Sequence, residues 1–191
     1  LENVKLNKDY MLGVDINGHG REFDPIGSEA SAFLGMFNGA GHSISNLKID
    51  KANSTNVGLF SVVGNIPVEP RLGIAKRNLS VIATSIKNTH LSKITVDGKG
   101  RVGALIGSSH GTVLDNVSVT DSSVTGSFKI GGLIGHSLDG TIINNANVTG
   151  TDTFGMFSVG GLIGSSLNSE INDVTVTKSD ATGRYGLKKG A

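Results

Sequence analysis

The segment GSSHG (Gly107–Gly111) matches Gly-x-Ser-x-Gly, the pattern that presents Ser109 as the nucleophile of an acyl-transfer enzyme. A nucleophile elbow needs a strand, a sharp turn and then a helix. Here a second strand pattern follows, and His136 is the one downstream histidine that could act as base. The sister segments GHSLDG and GSSLNS fill the same slot, so the expected role is a turn. The five histidines, His19, His42, His90, His110 and His136, include no pair at zinc-ligand spacing, and cysteine is absent. His42 is expected to hydrogen-bond at a corner and the others to lie exposed. Asp15, Asn17, Glu22 and Asp24 gather oxygen ligands around two glycines, which makes them a candidate calcium loop. The EF-hand pattern fails, because its bidentate Glu position falls on Ile26. Asp115, Asp139 and Asp173 are scattered through turns instead of forming the paired carboxylates of a polysaccharide-cleaving groove. No catalytic residue and no cofactor is expected. Four Asn-x-Ser/Thr sequons stand at Asn53, Asn78, Asn116 and Asn147.

The elements that carry these residues repeat. VGALIGSS begins at Val102, IGGLIGHS at Ile130 and VGGLIGSS at Val159, spacings of 28 and 29 residues. A second tag follows each: TVLDNVSVT (Thr112–Thr120), TIINNANVT (Thr141–Thr149) and SEINDVTVT (Ser169–Thr177). HSISNLKID (His42–Asp50) reads as an earlier copy, RNLSV (Arg77–Val81) as a partial one and SKITV (Ser92–Val96) as a divergent segment. Aligned, the tags give a column of Asn46, Asn78, Asn116, Asn145 and Asp173. Apolar residues alternate after it, as in a strand with one buried face. Ile44 and Leu47 are three apart, as are Leu114 and Val117, so the strand must turn a corner at the Asn. Asn tolerates the left-handed backbone that a corner needs. The pattern predicts an all-β fold, a right-handed parallel β-helix with rungs of about 28–29 residues and a buried Asn column at a corner.

Composition agrees. Glycine is frequent at 28 of 191 residues, proline occurs 3 times, and runs of helical period are missing. A net charge of +1 argues against a nucleic-acid footprint, and no apolar stretch is long enough to insert in a membrane as a helix. The chain starts at Leu1 without a signal-like segment, so it reads as part of a longer protein.

The order YMLGVDIN, FDPIG, FLGMFNGAGHSISNLKI, VGLF, VGALIG and GTVLDNVSV closely resembles the GLUG-repeat segments of large bacterial surface proteins. The matching positions include Tyr10, Leu12, Asp15, Pro25–Gly27, Phe33, Gly35, Phe37, Gly39, Gly41, His42, Ile44, Asn46 and Leu47. Such segments occur in filamentous-haemagglutinin-like adhesins of the two-partner pathway and in non-catalytic parts of immunoglobulin A1 peptidases. The resemblance implies a right-handed β-helix at a secreted, outer-membrane-associated surface, with an unidentified host protein or glycan receptor as partner.

Four regions follow. Residues 1–50 form an entry strand, loop and first rung; 51–101 form irregular rungs with an excursion at 61–73; 102–177 are regular repeats; and 178–191 are a tail or truncated rung. Binding is expected on loops where the period breaks, at Asn65, Pro67, Glu69, Arg71, Arg21 and Glu22. The expected function is a non-enzymatic adhesive module. The alternatives are an accessory domain of a secreted peptidase and a carbohydrate-binding or polysaccharide-degrading β-helix.

Overall fold

A computed structural model describes residues 1, 4–65 and 84–184. Among these residues every regular element is a strand, and paired strands run parallel. The chain winds into a β-solenoid of about five turns. The third turn holds Ser85–Ser92, Thr95–Gly103 and Ile106–His110. The fourth holds Val113–Thr120, Ser123–Thr125, Phe128–Gly131 and Ile134–Leu138. The strands fall into three sheets, one along each wall.

Stacking of like residues makes the core. Ile86, Leu114 and Ile143 form one inward column; Leu91, Val119 and Val148 form a second; Val102 and Ile130 form a third. All eight are at most 1% exposed, so each rung hides the apolar face of the one below it. In the early turns the core is built from aromatic rings, and Phe60 packs against Phe33 and Phe37 at centroid distances of 5.1 and 5.3 Å.

The glycine tags sit where main chains approach one another closely. A Cβ on Gly107 would run into the backbone of Asn56, one on Gly135 into that of Arg101, and one on Gly164 into that of Lys129. A Cβ on Gly103, Gly131 or Gly160 would strike the carbonyl of Ile106, Ile134 or Ile163. Two stretches of main chain therefore touch directly here, and only glycine permits the approach.

The corners depart from the expected alignment. Asn88, Asn116, Asn145 and Asp173 share one corner with φ of 46°, 52°, 51° and 52°. Asn46 does not belong to it. Ile44 pairs with Leu91 instead of Ile86, which brings Asn46 to the next corner, beside Lys93, Asp121, Gly150 and Lys178. Asn38 pairs with Lys87 while Ser43 pairs with His90, so the second turn has two extra residues at the first corner, and these shift the tag. The asparagines are also not buried: Asn116, Asn145 and Asp173 are exposed. An αL residue at an outward bend sends its side chain to solvent, where Asn116 Nδ2 donates to Asn88 Oδ1 at 2.8 Å. The buried polar corner lies instead between the third and first sheets, where Ser109 Oγ and Thr141 Oγ1 are 3.0 Å apart and Ser137 Oγ and Ser169 Oγ 2.6 Å apart.

Two boundaries also move. Residues 61–64 are not an excursion, since Phe60–Gly64 is a buried strand paired with Ile106–His110. Within residues 1–50, the stretch expected as a loop also contributes to the first turn: Ile16–Asn17 pairs with Ile44–Ser45, Ile26 with Phe60 and Phe33 with Val63, leaving an exposed bend at residues 29–31.

Candidate functional site

Ser109 is fully buried, and its hydroxyl is spent on Thr141. It points into the solenoid, so no substrate carbonyl reaches it and the elbow reading fails. The calcium candidates are each engaged by other partners. Asp15 Oδ1 accepts from the Ser43 N–H at 2.8 Å and lies 3.4 Å from His42 Nδ1. That Ser43 N–H, with His42 behind it, holds the Asp15 carboxyl below the usual carboxylate range. Glu22 pairs with Lys48 at 3.6 Å and Asp24 with Lys51 at 2.6 Å. Asn17 Oδ1 accepts from the His19 N–H and from Asn46 Nδ2. Among the described residues no three metal-ligating groups converge.

Of the loop candidates, Arg21 and Glu22 are exposed on the first turn and Asn65 is exposed after the strand Phe60–Gly64. Pro67, Glu69 and Arg71, with Asn78 of the proposed column, lie outside the described residues. Sequons Asn53, Asn116 and Asn147 are exposed. Asn53 sits where the ladder shifts register between Lys51 and Thr55.

The histidine expectation needs correction too. His110 is largely buried, with Nδ1 2.8 Å from Asp139 Oδ2, and His136 is only 9% exposed. His136 belongs to a cluster at the seam where the second sheet turns into the third. Arg101 and Lys129 occupy one left-handed corner position in successive turns, at φ of 51° and 57°. Seven residues after each come Ser108 and His136, which pair across the third sheet. Lys129 Nζ lies 3.1 Å from His136 Nε2. Arg101 Nη1 donates to Asn56 Oδ1 at 3.2 Å and lies 3.7 Å from the exposed Glu29 carboxylate. Burial, then the charges of Lys129 and Arg101, push the His136 imidazole down to about 4. Burial and Arg101 also lower Lys129. Arg101 Nε, Ser108 Oγ and His136 Nδ1 are buried and bond no described group. Sequence reasoning singled out His136 alone and passed over Arg101, Ser108 and Lys129. The signal was the spacing of seven, repeated one turn later.

Fold and site together define a parallel β-solenoid repeat module with a cationic seam. The chain is 34% identical over 141 residues to halomucin of Haloquadratum walsbyi, a match covering 68% of this chain and 1% of halomucin. It is 35% identical over 118 residues to a protein of Evansella cellulosilytica described as a Gly-rich membrane protein, covering 61% of this chain and 12% of that protein. The chain thus spans a small fraction of the curated relatives it matches. No family model and no solved structure matches it.

Proposed function

We propose that this chain is a non-catalytic structural module of the GLUG-repeat kind, one part of a much longer protein displayed outside a cell. Its stacked turns set the length of a stalk, and the side chains on its walls offer surface to a host protein or glycan. The observation that carries this reading is additive geometry. Val113–Thr120 pairs with Ile142–Thr149, and Ile142–Thr149 with Glu170–Thr177, in unchanged register. Each turn stacks on its neighbours alone, so turns can be multiplied without a new core. Resemblance to small fractions of two far longer proteins, one described as a membrane protein, supports a repeat embedded in a large surface chain. The buried, hydrogen-bonded Ser109 supports the non-catalytic part of the reading.

Small-angle scattering tests the stalk. Duplicating the unit 130–158 should lengthen the particle by about 4.8 Å per added turn at unchanged cross-section. A thicker or unfolded particle would remove the reading. A glycan array and binding to intact cells test the adhesive part, and absence of retention on both would leave a spacer without adhesion.

A further inference from the structure

We propose that the seam of Arg101, Ser108, Lys129 and His136 binds an oxyanion, the sulfate or carboxylate group of an acidic ligand. The repeat supplies its own comparison. The corner position reads Asn56, Arg101, Lys129 and Ser158 in successive turns, with φ of 59°, 51°, 57° and 54°. The paired position on the third sheet reads Val62, Ser108, His136 and Ser165. Neutral residues thus build the same corner above and below, and the fold does not need two cations in the middle turns.

Those two turns also bury donors that bond no described group. An ammonium can only donate, so His136 Nε2 accepts from Lys129 and the ring proton sits on Nδ1. His136 Nδ1, Arg101 Nε and Ser108 Oγ are then three buried hydrogen-bond donors without acceptors among the described residues. Ser108 is 2% exposed and His136 9%. Buried donors without acceptors are costly, and an anion is the partner that satisfies several at once. The surrounding charge agrees. Among the described residues Lys129 has no carboxylate within salt-bridge distance, Asp139 is taken by His110, and Glu29 reaches Arg101 only as an exposed pair at 3.7 Å. A metal cation would meet two positive side chains here. The negative charge of an oxyanion would favour the charged forms of Lys129 and His136, opposing the burial and like-charge repulsion that now lower both. This inference goes beyond the stalk reading and stands without it.

The test is titration of the uniformly ¹⁵N-labelled chain with sodium sulfate and, separately, sodium acetate, against sodium chloride at equal ionic strength. Saturable one-to-one shifts confined to the amides and side chains around Ser108 and His136 are expected. With them, the His136 titration midpoint should rise by about one unit at saturation. Arg101→Asn and Lys129→Ser copy the residues of the turns below and above, so both should keep the fold, checked by thermal unfolding. Each should weaken binding about tenfold or more. Lys178→Ser, at a different corner, should leave it unchanged. Stronger binding of sulfate or of acetate tells a sulfate ester from a carboxylate ligand, and either outcome supports the site. Shifts that only follow ionic strength, or equal affinity in the two seam variants, would show that water alone satisfies these donors and would overturn it.

Discussion

Asn145 and Asn147 share one strand and serve different ends. Asn145 holds φ of 51° at an exposed corner, and Asn147 points outward and accepts from the Thr149 hydroxyl at 2.9 Å. A left-handed backbone costs an alanine about 1–2 kcal/mol, whereas glycine adopts it freely. Asn145→Ala should therefore lose about 1–2 kcal/mol in urea unfolding, while Asn145→Gly and Asn147→Ala should each stay within about 0.5 kcal/mol of the parent. The cause is backbone strain and not burial, because the Asn145 side chain is in solvent. His136 makes a second residue-scale prediction. Its folded value, about 4, lies below the ordinary 6.5, so between those values the unfolded chain binds the extra proton. Stability should be full above pH 6.5 and fall as pH drops towards about 4, by on the order of 1–2 kcal/mol after solvent screening. His136→Ser, copying Ser108 and Ser165, should flatten that slope in thermal unfolding between pH 4 and 7. An unchanged slope would place the titrating group elsewhere.

At the scale of the element, the glycine tag and the turn glycines make different demands. Gly135 lies against the main chain at Arg101 and Val102, which cannot rotate away as a side chain would. Gly140 has φ of 78° but open space around its Cβ position. Gly135→Ala should cost about 3 kcal/mol by overpacking, and Gly140→Ala about 1 kcal/mol by backbone strain alone. Chemical denaturation of the two variants side by side checks this. Equal costs would mean that the walls are not in contact. The same contact explains why the tag recurs: in each turn it presses the third-sheet strand against the main chain of the second-sheet strand one turn earlier, leaving no room for a Cβ.

The whole molecule is a stack in which each turn depends on its neighbours. Turns three and four are covered on both sides, whereas Ile171 and Val176 of the strand Glu170–Thr177 are 46% and 42% exposed. Hydrogen exchange should therefore be slowest in Val113–Thr120 and Ile142–Thr149 and faster in Glu170–Thr177. Uniform protection along the stack would instead describe one all-or-none unit.

The sequence by itself determined the period, the alternation of the tags and the corner at Asn116, Asn145 and Asp173, because these follow from local chemistry: two-residue strand periodicity and the backbone tolerance of Asn and Asp. It did not expose the turn SIKNTHLS (Ser85–Ser92), although Ile86 precedes Leu114 by 28 residues. There Thr89 fills the slot of Val117, 1% exposed, and its hydroxyl bonds the Lys87 carbonyl at 2.8 Å. A buried hydroxyl satisfied by its own strand is invisible to hydropathy. The place of Asn46 needed tertiary pairing as well, since its local pattern is that of the other tags and only the ladder to Leu91 and Ser92 shows which corner it turns. The seam is the plainest case. Arg101 and Lys129 come together because successive turns are stacked about 4.8 Å apart, a distance that does not depend on their separation of 28 positions along the chain.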